Sequence, residues 1–178
     1  MLAAYKRVLD RIGALEQALG LALILLIVAA ITVQVFSRYA LGRPIAWVEE
    51  SATYAFIWMV FVGASVGLKK GRHILIATFG SHLPPRIGAA LRILVWVLVL
   101  VTLAVLVVQG VKVMEVEGRS RTISLPVELP RSWFYSLTLT VSAASMILTS
   151  IYWLLWELPL LRDMPSAGDA SAPAAPIA

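Results

Sequence analysis

Four stretches of the chain run for close to the thickness of a membrane without one Asp, Glu, Lys, Arg or His: Gln17 to Ser37, Ser51 to Leu68, Ile93 to Val111 and Ser132 to Trp156. A helix rising 1.5 Å per residue needs about 20 mainly apolar residues to cross a hydrocarbon layer of roughly 30 Å. A water-soluble helix of that length would carry a charged face, and none of these does. The pattern predicts an all-α integral membrane protein with four transmembrane helices, over about 17–38, 47–68, 89–113 and 132–156. Composition agrees, with 60% apolar and 14% charged residues against about 45–50% and 25% in soluble domains.

What lies between the blocks completes the plan. Tyr5, Val8, Leu9, Ile12, Leu15 and Leu19 share one helical face while Lys6, Arg7, Asp10 and Arg11 share the other. That is an amphipathic N-terminal helix, either lying in the membrane interface or continuing the first span inward. The block after it is too long for a signal-peptide core and ends in Phe36-Ser37-Arg38-Tyr39 rather than at a small-residue cleavage site, so it reads as a retained span. Between spans 2 and 3, Ile74 to Leu83 is apolar but too short to cross, and is expected to be an interfacial segment. The membrane domain covers 1–162. The Ala-, Pro-, Ser- and Gly-rich tail, 163–178, cannot bury a core and is expected to be disordered.

Basic residues set the expected orientation. With the N-terminus inside, inner segments hold Lys6, Arg7, Arg11, Lys69, Lys70, Arg72, Arg86, Arg92 and Arg162, and outer segments hold Arg38, Arg43, Lys112, Arg119, Arg121 and Arg131. Nine against six puts both termini in the cytoplasm. The net charge of +5 belongs to residues that meet lipid headgroups, and no nucleic-acid motif accompanies it.

Chemistry has few places to reside. The chain has no cysteine, which excludes disulfides and Cys-ligated metals. His73 and His82 are the two histidines, too few for a metal or haem centre without converging ligands. No nucleophile–base pair or phosphate loop is present, so neither an enzyme nor a cofactor is expected. Arg38, Glu49 and Glu50 border the first two spans, and the short turn between them lets Arg38 pair with Glu50, pinning the helices. Gly63 and Gly67 form a small-xxx-small pair that lets another helix approach. Trp58 and Trp96, inside spans, suggest packed interfaces.

Arg38-Tyr39, Trp47-Val48-Glu49-Glu50, Phe61-Val62-Gly63-Ala64 and Gly71-Arg72-His73-Ile74, in that order and spacing, resemble the small membrane subunit of tripartite ATP-independent periplasmic (TRAP) transporters. Leu125-Pro126 is similar to that family's outer loop, and the resemblance runs from about Ile24 to Trp153. Where the family often has an acid four residues after the histidine, this chain has Ala77. The resemblance implies a scaffold subunit in a bacterial inner membrane. It would pack on a large permease subunit for sodium-coupled uptake of an organic, carboxylate-type solute delivered by a periplasmic binding protein. It also implies that Arg38, Trp47, Glu49, Glu50 and His73 are structural or subunit-interface residues. A self-sufficient homodimeric exporter is the alternative, disfavoured because Glu16, Glu49, Glu50 and Glu157 sit at span ends. A membrane anchor for a redox enzyme is weakened by the missing intramembrane histidines.

Overall fold

A computed structural model describes residues 2–70 and 85–163, and all structural statements concern these. They form four long helices: α1 Leu2–Ala40, α2 Ala46–Lys69, α3 Pro85–Glu117 and α4 Ser136–Asp163, with a 3-10 turn at Arg131–Trp133. Each is long and apolar enough to cross a membrane. The interfacial segment Ile74–Leu83, His73, and the C-terminal tail beyond Asp163 lie outside the described residues. The amphipathic stretch Tyr5–Leu19 is helical and continuous with the first span. Of the two arrangements open to it, it takes the extension, giving a 39-residue helix of about 58 Å at 1.5 Å per residue.

The chain folds as two antiparallel hairpins, α1 on α2 and α3 on α4, joined where α2 packs against α4. On α1 the half-buried and buried positions include Leu9, Gly13, Glu16, Gly20, Leu23, Ile27, Ala30, Gln34 and Ser37, spaced alternately four and three apart. A 3.5-residue repeat is the seam of a left-handed helix pair. Small residues recur along it at Gly13, Gly20, Ala30 and Ser37, as they do where membrane helices gain stability from close van der Waals packing rather than from water exclusion.

The α3–α4 pair uses the same repeat, through Trp96, Val99, Leu103, Val107, Gly110, Met114 and Glu117. Leu68, Leu103 and Ala143 meet at its centre, where the two hairpins join. Gly110 is the tightest point: a Cβ there would sit 2.7 Å from Thr140 Oγ1, so a side chain has no room. Span hydroxyls are satisfied locally. Thr32, Thr102, Thr138, Thr149 and Ser150 each donate to the carbonyl four residues earlier, which removes the cost of a bare hydroxyl in lipid.

The α1–α2 turn needs one special conformation. Gly42 adopts φ +63°, open to glycine at no steric cost. Leu41 and Arg43 N–H groups then return to the Ser37 carbonyl at 3.3 and 3.2 Å.

Candidate functional site

At the α1–α2 turn, Gln34 on α1 is buried; its amide donates to Glu49 Oε2 at 3.2 Å and its carbonyl accepts the Ile45 N–H at 3.1 Å. Arg38 reaches the same carboxylate oxygen at 3.3 Å, with 51% and 63% of the two side chains exposed. This corrects the expected pairing of Arg38 with Glu50. Adjacent helical residues point about 100° apart, so only one of the two glutamates can face α1, and that one is Glu49.

Glu50 faces the α3–α4 loop instead. Its carboxylate accepts the backbone N–H groups of Ile123, at 3.0 Å, and Ser124, and the Tyr54 hydroxyl at 2.6 Å. Tyr54 in turn stacks on Phe134, centroids 4.1 Å apart, and meets Tyr135 edge-on at 6.0 Å. The Arg131 guanidinium lies 5.4 Å above the Tyr135 ring. Thr122 closes the loop from within: its hydroxyl donates to the Val127 carbonyl and accepts the Leu129 N–H. An acceptor with two lone-pair sites per oxygen is well matched to two consecutive amides and a phenol.

At the other end of α2 lies an ion pair that sequence reasoning did not find. Lys69 Nζ sits 2.7 Å from Glu16 Oε2, with only 8% and 15% of the side chains exposed. The ammonium also donates to Ser65 Oγ at 2.9 Å and Ser145 Oγ at 2.6 Å, and both hydroxyls donate to Glu16 Oε1. Three helices are thereby tied by one neutral cluster. A clue was present in the sequence: Ser65 and Lys69 are one turn apart on α2, and Glu16 borders the neighbouring antiparallel span at the same level. Another ion pair joins α3 to α4, Arg92 Nε to Glu157 Oε1 at 3.0 Å. Beside it Trp96 stacks on Trp153 at 5.9 Å, which meets the packed interface expected at Trp96.

Trp47 is exposed at the start of α2. Gly63 is exposed and Gly67 half-buried, and a Cβ at either would meet nothing within 4 Å; no described helix of this chain uses their small size. His73 is outside the described residues. Among the described residues no three His, Asp or Glu side chains converge as metal ligands. The networks tie helices and a loop together; among the described residues they present no nucleophile, base or cofactor cradle.

Fold and networks together define a four-helix, multi-pass membrane protein whose polar groups serve helix packing. Comparison with known proteins refines the class. The family model for the DctQ component of tripartite ATP-independent periplasmic transporters matches residues 27–158, and the chain belongs to that family, one of transporter components rather than enzymes. It is 29% identical over 99 residues to the sialic acid TRAP transporter small permease protein SiaQ of Vibrio cholerae, 56% of this chain and 57% of that one. It is 32% identical over 82 residues to the C4-dicarboxylate TRAP transporter small permease protein DctQ of the same organism, 44% and 35% of the two chains. A stretch of 101 residues, 57% of this chain, is 29% identical to 16% of the sialic acid TRAP transporter permease protein SiaT of Haemophilus influenzae. The matched stretch spans less than two thirds of each of these relatives.

Proposed function

We propose that this chain is the small scaffold subunit of a TRAP-type secondary transporter in a bacterial inner membrane. It packs on a large permease subunit that carries an organic acid, coupled to a sodium gradient, after a periplasmic binding protein delivers it. The observation that carries the reading is family membership across residues 27–158. The relatives' names give sialic acid and C4-dicarboxylates, both carboxylates, which supports an anionic solute. The geometry is consistent with it: Glu16, Lys69, Glu49, Glu50, Arg92 and Glu157 are each engaged within the chain. A carrier that binds an ion and releases it needs polar groups free to exchange partners, and these groups are committed to holding helices.

Reconstitution tests it. The chain alone in liposomes takes up no solute. With its large permease subunit and binding protein, uptake follows an inward sodium gradient. Solute uptake by the isolated chain would overturn the scaffold role.

A further inference from the structure

In lipid every outward face is apolar, so apolarity does not distinguish a face that meets acyl chains from one that meets another protein. Side-chain size and shape do: membrane helices associate through small residues and shallow grooves, whereas lipid-facing surfaces favour bulky branched side chains. The outward residues of α1 include Leu21, Ile24, Leu25, Leu26, Val28 and Val35, and those of α3 include Leu91, Leu94, Leu98, Val101, Val105 and Val108. Both are acyl-chain surfaces. A hollow of about 280 Å³ on α3, lined by Val95, Leu98, Val99, Thr102 and Leu103, shares that character.

α2 differs. Its outward positions are Glu49, Thr53, Phe56, Val60 and Gly63, leading to half-buried Gly67. They are spaced four, three, four, three and four apart, the repeat of the two seams by which this chain joins its own helices. Beside this stripe, between α1 and α2, runs a groove of about 260 Å³ whose walls include Ile27, Ala30, Gln34, Ala52 and Phe56. One end of the groove is polar, at Gln34 and Glu49. In the Haemophilus influenzae permease the counterpart of these helices is 16% of one longer polypeptide, so there it is built into the same chain as the rest of a permease.

We infer that the α1–α2 groove seats a membrane-spanning helix of the large permease subunit, packed along Thr53, Phe56, Val60 and Gly63. This rests on the subunit reading above and specifies its contact face. The groove is recessed, it repeats a helix-pairing period, and its stripe offers two glycines for close backbone approach.

Co-expression with the large permease subunit tests it, using a photo-activatable p-benzoyl-phenylalanine at Phe56 or Val60 and, as controls, at Leu98 or Val101. The expected result is covalent capture of the large subunit from the α2 positions only. Gly63→Leu is the second arm. Since nothing lies within 4 Å of a Cβ there, the isolated variant should unfold as the wild type does, while recovery of the complex falls about ten-fold. Capture from α3 alone, capture of a second copy of this chain, or full recovery of the Gly63→Leu complex each overturns the assigned face while leaving the subunit reading intact. Failure of the wild-type chain to co-purify with the large subunit at all would overturn both.

Discussion

Glu49 and Glu50 are sequence neighbours with different duties, and the difference can be measured. The Glu49–Arg38 pair is more than half exposed, where ion pairs contribute about 0–1 kcal/mol; a double-mutant cycle should return a coupling in that range. The Arg38/Glu50 cycle should be additive within about 0.5 kcal/mol, because the two groups share no partner. Glu50→Gln should instead free the outer loop. Replacing a charged acceptor of two backbone amides weakens bonds of about 1–2 kcal/mol in this partly exposed setting. Hydrogen exchange at Ile123 and Ser124 is therefore expected to rise about ten-fold, with the centre of α3 unchanged. Glu16 and Lys69 carry the largest expected effect. Removing one member of a buried pair strands the other charge at about 3–5 kcal/mol, whereas replacing both by apolar groups is often close to neutral. Lys69→Met should therefore lower stability in detergent titration sharply, and Glu16→Leu added to it should restore most of the loss. If the double variant is no better than the single, the cluster is not acting as a compensated pair.

At the scale of helices, the tightest contact makes its own test. Gly110→Ala puts a methyl 2.7 Å from Thr140 Oγ1, and overpacking of this kind costs about 1–3 kcal/mol. Thr140→Ala removes the obstructing oxygen, so the double variant should recover most of that loss in the same titration. The contrast with Gly63 and Gly67 bears on what a sequence can show. All three are glycines in apolar spans, yet Gly110 serves packing inside the chain and the other two do not. Nothing local marks the difference, since it depends on which side of each helix a neighbour occupies. The spans themselves were legible because lipid forbids charge wherever the helix meets it, a constraint that acts residue by residue. The α1 seam left a fainter trace, with Gly13 one heptad before Gly20 and Ala30 one heptad before Ser37. Leu23 and Ile27 between them look like any other residue of an apolar span, so reading the seam required knowing that α2 lies on that side. The choice of Glu49 over Glu50 by Arg38, and the meeting of Glu16, Lys69 and Ser145 across 129 residues of chain, depend on helix rotation and crossing, which three-dimensional packing decides.

For the molecule as a whole, the two hairpin ends are fixed relative to each other. Glu50 binds the α3–α4 loop directly, so the α1–α2 turn and that loop share one side of the membrane. Glu16 and Lys69 lie toward the other side, with Arg92 and Glu157. Which side is outside follows from charge. Removing the cations already paired within the chain takes Lys69 and Arg92 from the inner set and Arg38 from the outer, leaving seven (9 − 2) against five (6 − 1). The bias persists, and it predicts that the turn and the loop face the periplasm with both termini in the cytoplasm. Because the chain contains no cysteine, one introduced thiol reports its own location. Ile123 is 84% exposed at the loop tip, and its backbone N–H, not its side chain, is what Glu50 holds, so Ile123→Cys should leave the fold unperturbed. In intact cells with a permeabilised outer membrane, a membrane-impermeant maleimide should label Ile123→Cys fully, while Ala3→Cys, at the start of α1, should label only after the inner membrane is opened. The reverse pattern would invert the topology and move the docking side for any periplasmic partner to the opposite end of the bundle.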